Sequence, residues 1–361
     1  MDRIYLDNAA TVPVLPEAVK AMEPYFGTEW GNPSAKNLPG LRAGKALEEA
    51  RRRTAAALGC ADYDVCFTSG GTESDMLALL RLGRGHVITT AIEHSAVISA
   101  CRMLEGFGAE VTYVMPGSGG AVDPDDVARA IRPDTSLIAV MYANNETGVL
   151  QPVEEIAGIA RERGITFFTD AVQAPDPAAV VSCGADVFSL SGHKLGAPKG
   201  SGLLCVRKGI RIARDGEQEY GIRPGTQNVA FAFALSAALE SKPDLCRVEA
   251  LRDRLERRIL DTVPSAVVNG EGRRVPGILN VSFPGAESEG ILFLLGEGGV
   301  DAAAGSACTS SSPSHVLTAM GLSAERVSSA VRFSVGRMNT EEEIDRAADV
   351  LRDAVRRIIG K

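Results

Sequence analysis

Short apolar runs alternate with segments of helical spacing along the first two thirds of the chain. The apolar runs predict strands at residues 65–68, 87–90, 111–115, 137–142, 165–169, 187–190 and 203–206. The intervening segments predict helices at residues 72–82, 95–104 and 152–163, with another that opens at Asp123-Pro124. Strands that alternate with helices are typical of an α/β fold whose mostly parallel sheet is covered on both faces.

The pattern changes near residue 241. Charged amphipathic segments at 248–263 and 341–359 predict two long helices, and apolar runs at 278–283 and 331–335 predict strands between them. We expect a large domain over residues 1–245 and a smaller α+β domain over residues 246–361. We also expect that about the first 14 residues pack with the smaller domain.

Composition and charge limit the classes of function. The chain has 361 residues, of which 45% are hydrophobic and 23% charged, as in globular proteins. A net charge of −8 argues against nucleic acid or an anionic membrane surface as a partner. Seven scattered cysteines without a CxxC pair predict reduced thiols. With no apolar run long enough for a signal peptide or a membrane helix, we expect a cytoplasmic protein.

Two motifs at predicted strand ends suit a cofactor that carries a phosphate and a protonated ring nitrogen. Ser69-Gly70-Gly71-Thr72 lies between a strand and a helix, where backbone N–H groups form a phosphate seat. A tight turn with a capping threonine explains the same residues. Asp170 ends an apolar strand, where the protonated pyridine nitrogen of pyridoxal phosphate is one known partner for a buried carboxylate. A helix-capping aspartate is the alternative.

Two further residues suit covalent chemistry. Lys194 directly follows an apolar strand, where desolvation frees its amine for Schiff-base formation. Ser191 and His193 beside it could donate to a phosphate, although a lysine at an exposed strand end is the commoner case. Cys308 lies in the small polar segment 305–312, whereas the other six cysteines lie in or beside apolar runs. It is either a nucleophile or an incidental surface thiol.

The combination resembles one family, the cysteine desulfurases, which are class V members of the fold-type I pyridoxal-phosphate enzymes. Ser191-Gly192-His193-Lys194 and Gly305-Ser306-Ala307-Cys308-Thr309-Ser310 are two of nine motifs that occur in the family's order. The others are at residues 5–11, 32–34, 68–74, 93–97, 144–148, 170–173 and 223–226. The match covers nearly the whole chain, from Tyr5 to Gly336.

The resemblance implies pyridoxal 5′-phosphate as the cofactor. It implies that Lys194 carries the cofactor as a Schiff base, that His94 stacks on the ring, and that Asp170 pairs with the ring nitrogen. The remaining implied contacts are Gln173 with the phenolic oxygen, Asn144 close to that oxygen and the substrate, and Gly71, Thr72, Ser191 and His193 with the phosphate. Thr226 would reach the phosphate of the other subunit, which implies a homodimer with shared active sites.

The implied reaction converts L-cysteine to L-alanine and transfers the sulfur. Arg332, with Asn32, would hold the substrate carboxylate. Lys194 and His94 would move protons, and the Cys308 thiolate would take the substrate sulfur as a persulfide. A sulfur-acceptor protein in iron–sulfur cluster assembly, thio-cofactor synthesis or tRNA thiolation would then receive it. No resident metal is expected, and a transient role of Cys308 as an iron–sulfur ligand stays open.

Several features depart from the family pattern. Asp75 stands where an asparagine is usual, and Tyr220 where an arginine is common. The stretch from Cys308 to Val316 is shorter than in the long-loop members, and the chain ends directly after its last predicted helix, at Lys361. A shorter connection limits how far a persulfide travels. We therefore expect Cys308 to deliver sulfur to a dedicated or docked acceptor.

Three other functions compete with desulfuration. A selenocysteine lyase or another pyridoxal-phosphate-dependent C–S lyase would share the fold, and its lyase step could survive loss of Cys308. An aminotransferase would leave Cys308 without a role, and a non-catalytic relative would not need Lys194, Asp170 and His94 together. A nicotinamide-binding turn is disfavoured because the Gly70-Gly71 turn has no GxGxxG pattern.

Overall fold

A computed structural model describes residues 3–305 and 313–360, so Cys308 lies outside the described residues. The strands are β1 (Ile4–Tyr5), β2 (Tyr63–Thr68), β3 (His86–Thr90), β4 (Glu110–Val114), β5 (Thr135–Ala139), β6 (Thr166–Asp170), β7 (Val187–Ser191), β8 (Gly202–Arg207), β9 (Val267–Asn269), β10 (Ile278–Ser282), β11 (Val300–Asp301) and β12 (Ala330–Ser334).

The helices alternate with these strands. They are α1 (Pro16–Met22), α2 (Leu38–Leu58), α3 (Gly71–Leu82), α4 (Ser95–Gly106), α5 (Pro124–Ala130), α6 (Val153–Glu162), α7 (Pro177–Ser182), α8 (Gly192–Leu195), α9 (Val229–Glu240), α10 (Leu245–Thr262), α11 (Ser288–Glu297), α12 (His315–Ala319), α13 (Ala324–Ser328) and α14 (Glu341–Ile359). Two short 3₁₀ turns lie at Glu23–Phe26 and Glu219–Gly221.

A seven-stranded sheet forms the centre of the larger part of the chain, in the order β2-β8-β7-β6-β5-β3-β4. Strands β7, β6, β5, β3 and β4 are parallel, and β8 runs antiparallel to both of its neighbours. The predicted α/β fold with a mostly parallel sheet is therefore confirmed. The strand predicted at 137–142 ends earlier, at Ala139, but Tyr142 N still donates to Asp170 O at 2.8 Å.

The sheet is covered on both faces, as its apolar runs predict. Phe167 packs in one core with residues of α2, α6 and α9, and its neighbour Phe168 packs in another with residues of α3 and α4. Successive side chains of a strand point to opposite faces, so a buried strand must be apolar throughout.

The C-terminal part has its own antiparallel sheet, in the order β12-β10-β9. Helices α10, α11 and α14 supply its core, which also contains Ile4 and Leu6 from the start of the chain. The helix predicted at 341–359 is found with these bounds, because Thr340 and Glu343 form a capping box and Gly360 ends it in the left-handed conformation. In the described part of the chain, no helix has both the length and the apolar character needed to cross a membrane.

Candidate active site

A cavity of about 210 Å³ lies at the carboxyl end of the parallel strands. Ligands of open α/β sheets bind at this edge. The cavity is lined by Ala9, Ala10, Gly71, Thr72, Asp75, His94, Met141, Ala143, Asn145, Asp170, Val172, Gln173, Ser191, His193, Lys194 and Arg332. Nine of the site residues predicted from the sequence therefore line one cavity.

The start of α3 provides a seat for an anion. Its N-cap residue, Gly70, has no side-chain capping bond, and Gly71 and Thr72 line the cavity. A Cβ atom on Gly71 would lie 2.6 Å from Val172 Cγ2, so this backbone approach needs glycine. The N–H groups of an uncapped first turn, together with the positive end of the helix dipole, favour a phosphate.

Ser191 and His193 extend this seat from the end of β7. Ser191 is buried, and His193 Nδ1 lies 3.1 Å from Thr11 Oγ1. Burial, with the charges of Lys194 and Lys199, lowers the pKa of His193 to about 4. The imidazole is therefore neutral near pH 7. Only one of its two ring nitrogens then carries a hydrogen that it can donate.

Lys194 lies on α8, one turn beyond β7. Its amine donates to Ala9 O and, at 2.8 Å, to Ala10 O. Gln173 Nε2 also donates to Ala9 O, at 3.0 Å. The N-terminal segment thus covers the lysine from one side, which explains why a residue so close to a strand end is only half exposed.

Asp170 ends β6 and is buried against His94. One oxygen of Asp170 accepts the Val172 N–H at 2.9 Å. Burial raises the pKa of Asp170, while the positive charges of His94 and Lys194 oppose that rise. His94 caps α4 by accepting the Ala96 N–H at 3.2 Å, and burial lowers the pKa of its imidazole.

Two further carboxyl groups lie near Asp170, and neither was predicted from the sequence to have a role in the site. Asp75 accepts a hydrogen bond from Ser189 Oγ, and burial and the Asp170 charge raise its pKa well above the ordinary value. Burial raises the pKa of Glu93 to about 8, although the Met141 N–H and the Thr90 hydroxyl both donate to it.

The Asp75 and Asp170 oxygens and a His94 ring nitrogen lie within 4.8 Å of one another. Two carboxylates and an imidazole could also ligate a divalent metal, which the sequence did not predict. The adjoining lysine and helix N-terminus suit a phosphorylated aldehyde better, because a bare cation uses neither of them.

Arg332 lies on β12 and contributes its guanidinium to the opposite wall. It is 1% exposed, and it donates to Asp7 Oδ1 at 2.7 Å and to Asn145 O at 2.8 Å. Its Nε atom is buried without a hydrogen-bond partner. A buried unpaired donor is costly, so an acceptor on a ligand bound here would stabilise this guanidinium.

Three predicted residues lie elsewhere in this chain. Asn144 is buried, but its amide donates to Ile92 O and accepts the N–H groups of Glu146 and Thr147. Its neighbour Asn145 lines the cavity instead. Asn32 and Thr226 are both exposed and do not line this cavity. Their predicted roles stay predictions.

The donor set fits pyridoxal 5′-phosphate. Lys194 supplies an amine for the aldehyde, the buried Asp170 carboxylate suits a protonated ring nitrogen, and the uncapped start of α3 suits the phosphate. Burial raises the pKa of Asp170, and a cation beside this carboxylate would favour its charged form. The fold and this site together define a pyridoxal-phosphate enzyme of fold type I.

Comparison with known proteins agrees with this class. The family model for class-V aminotransferases matches residues 4–347. A cysteine desulfurase of Gluconacetobacter diazotrophicus is 44% identical, over 97% of this chain and 93% of its own. A cysteine desulfurase IscS of Methanosarcina thermophila is 43% identical, over 98% of this chain and 92% of its own.

Solved structures agree as well. A NifS-like protein superposes with a TM-score of 0.89 at 31% identity, covering 97% of this chain and 98% of its own. A structure of SspA in complex with cysteine superposes with a TM-score of 0.82 at 34% identity, covering 93% of this chain and all of its own. The chain belongs to the class-V aminotransferase family and, within it, to the cysteine desulfurases, whose cofactor is pyridoxal 5′-phosphate.

Proposed function

We propose that the enzyme converts L-cysteine to L-alanine, using Arg332 to hold the substrate and Cys308 to take its sulfur. The observation that carries the proposal is the buried guanidinium of Arg332, a residue that lines the same cavity as Lys194. An amino acid offers a carboxylate for this donor and an amine for the lysine-held aldehyde. The comparisons with cysteine desulfurases supply the choice of L-cysteine.

The chain's own groups supply binding and proton transfer. Pyridoxal phosphate, when bound, supplies an electron sink for charge at the substrate α-carbon. Lys194 lines the cavity, and its Nζ is the base that takes the α proton and later returns it. Burial lowers the pKa of His94, which lines the same cavity and can pass a proton at a ring nitrogen.

The transfer of sulfur from the substrate to Cys308 needs no external oxidant. The substrate CH₂–SH and the Cys308 thiol become a CH₃ group and a Cys308 persulfide. One C–S bond breaks and one S–S bond forms, so the carbon is reduced as the sulfur is oxidised. The Cys308 thiolate is the attacking species, because the thiol itself is a poor nucleophile.

A homodimer with shared sites is part of the proposal. Four large apolar side chains near the start of the chain are exposed: Phe26, Trp30, Leu38 and Leu41. Large apolar side chains exposed in one part of the chain support a protein interface. Thr226 is exposed in the single chain, which is consistent with its proposed contact with the phosphate of the other subunit.

The final acceptor is a protein that collects the persulfide sulfur for iron–sulfur clusters, thio-cofactors or thiolated tRNA. We propose a cytoplasmic setting for this transfer. Six cysteines of the described residues are free thiols, as expected in a reducing compartment. A persulfide also survives only where it meets its acceptor before it meets an oxidant.

The decisive experiment measures alanine and sulfide release from L-cysteine with a reductant, for the wild type and for Cys308→Ala. We expect a yellow wild-type protein that makes alanine and a yellow variant that makes almost none. A colourless wild type would refute the cofactor site. If the variant keeps full activity, Cys308 has no persulfide role, and a selenocysteine or other C–S lyase becomes the better assignment.

A further inference from the structure

A carboxylate lies in the first turn of α3, beside the seat for the cofactor phosphate. It belongs to Glu73, which follows the cavity-lining residues Gly71 and Thr72. The Ser74 N–H donates to Gly70 O at 3.1 Å, so the regular helical bonds begin there. The N–H groups ahead of it have no partner within the helix and favour an anion. A carboxylate in this turn is therefore a potential competitor of the phosphate.

Both oxygens of the Glu73 carboxylate have partners outside the seat. Oε2 accepts the Ser69 N–H, and Oε1 accepts Arg223 Nε at 3.1 Å. Burial raises the pKa of Glu73, but the hydrogen bonds from Ser69 and the charge of Arg223 bring it below its ordinary value. The carboxylate is therefore ionised near pH 7, and Arg223 balances its charge.

A buried ion pair fixes the segment that carries Arg223. Glu219 is 3% exposed, and its carboxylate accepts both Nη groups of Arg51, at 2.8 and 3.0 Å, and the Phe67 N–H at 2.7 Å. Glu219 and Tyr220 have φ values of +47° and +58°, which residues other than glycine rarely adopt. Such a backbone persists only where its surroundings hold it, so residues 219–223 have a defined position.

The two carboxylates meet the same edge of the central sheet. Strand β2 is the outermost strand, and an edge strand presents N–H groups without a strand partner. Glu219 accepts the N–H of Phe67 in β2, and Glu73 accepts that of Ser69, where the chain leaves β2 for the seat. The segment 219–223 thus lies along the part of the chain that leads into α3.

We propose that Arg223 is a positioning residue for the cofactor phosphate, which acts by holding the Glu73 carboxylate away from the start of α3 and balancing its charge. The inference rests on the proposed phosphate seat at Gly71 and Thr72. Without Arg223, the Glu73 charge would repel the phosphate, and its free oxygen could accept N–H groups of the first turn. The effect should depend on the phosphate, and a ligand without one should bind as before.

The test uses the full chain, freed of cofactor and titrated with pyridoxal 5′-phosphate or with pyridoxal, which lacks the phosphate. The visible absorbance of the bound ligand reports its affinity. The variants are Arg223→Gln, Glu73→Gln and the double variant. Arg81→Gln is the matched control, because Arg81 joins the far end of α3 to the same loop through Asp215, at 2.7 Å. Circular dichroism confirms that each protein is folded.

The expected losses are specific to the phosphate. Arg223→Gln should bind pyridoxal 5′-phosphate about tenfold more weakly, because one uncompensated charge then lies near another. Its affinity for pyridoxal should change by about twofold or less. Glu73→Gln keeps an oxygen for the Ser69 N–H and should bind at least as tightly as the wild type. The double variant should recover to within about threefold of the wild type, and Arg81→Gln should match it.

The outcomes separate this proposal from that of the seat itself. If the wild type binds pyridoxal as tightly as pyridoxal 5′-phosphate, the phosphate seat fails, and the cofactor site fails with it. If the wild type prefers the phosphate form and Arg223→Gln keeps that preference, only the role of Arg223 fails. A double variant as weak as Arg223→Gln would also overturn that role, since Arg223 would then act on the phosphate without Glu73. An equal loss for both ligands would indicate damage to the fold and would overturn it as well.

Discussion

Arg332 provides the sharpest test of substrate recognition. Its guanidinium is 1% exposed and is oriented by Asp7 and by the Asn145 carbonyl, which leaves Nε without a protein partner. Arg332→Gln keeps a polar side chain but removes the charge. One charged hydrogen bond to a substrate carboxylate contributes about 2 kcal/mol, so we expect L-cysteine to bind about 30-fold more weakly.

The assay compares two ligands on two proteins. L-Cysteine and cysteamine differ by the carboxylate alone, and each is titrated against the visible spectrum of the holoenzyme. The wild type should prefer L-cysteine by about 30-fold, and Arg332→Gln should lose most of that preference. Asp7→Asn is the control, since it removes the ionic partner of Arg332 but leaves the guanidinium in place.

An equal loss of affinity for both ligands in Arg332→Gln would refute this reasoning. It would mean that Arg332 supports the fold and that the carboxylate binds elsewhere. A loss in Asp7→Asn as large as in Arg332→Gln would also count against it, because orientation by Asp7 should matter less than the charge itself.

Three other substitutions test the site and its supports. Lys194→Ala should fail to retain a yellow cofactor through gel filtration, because its amine is lost; a variant that stays yellow would contradict this. The free energy of unfolding of Glu93→Gln, relative to that of the wild type, should increase as the pH rises from about 4.5 to 8, by up to about 1.4 kcal/mol per pH unit. The raised pKa makes the folded wild type bind the proton that the unfolded chain has lost, so a pH-independent difference in urea midpoints would refute it. Arg51→Ala should destabilise the fold by about 3–5 kcal/mol in urea unfolding, because it leaves the buried Glu219 carboxylate unpaired; Arg51→Ala with Glu219→Gln should recover part of the loss.

Much of the fold was predictable because its strands are apolar on both faces. The helix at Glu341–Ile359 matches its prediction, and most other predicted elements differ from the structure by one to three residues at their ends. The direction of β8 was not predictable. An apolar run has the same pattern in either direction, and only its pairing with β2 and β7 shows that it is antiparallel.

Asp75 and Glu93 were not predicted as site residues, and only one of them has a sequence pattern that indicates its burial. Asp75 shares the buried face of α3 with Gly71, Ala78 and Leu79, and this helical spacing indicates a buried acid. Glu93 gave no such signal, since its burial depends on the Met141 N–H of a neighbouring strand end. Such contacts between segments distant in sequence cannot be predicted from local pattern.

Asn144 shows the opposite problem, a motif residue whose side chain is used locally. It caps its own turn by accepting two backbone N–H groups, a behaviour that asparagine shows in many turns. The motif alone could not distinguish this use from contact with a ligand. The adjoining Asn145 lines the cavity and offers its carbonyl to Arg332, so the turn still contributes to the site through its backbone.

The buried acids explain why the site suits a cationic ring nitrogen. Asp75, Glu93 and Asp170 lie close enough that the Asp170 charge raises the pKa of both neighbours. Of the three acids, only Asp170 lies beside basic groups that lower its pKa, His94 and Lys194, and these oppose the rise that burial causes. One full charge in a buried place is stable only with a partner of opposite sign. A protonated pyridine nitrogen beside Asp170 would provide that partner, and the raised pKa values of Asp75 and Glu93 disfavour further negative charge beside it.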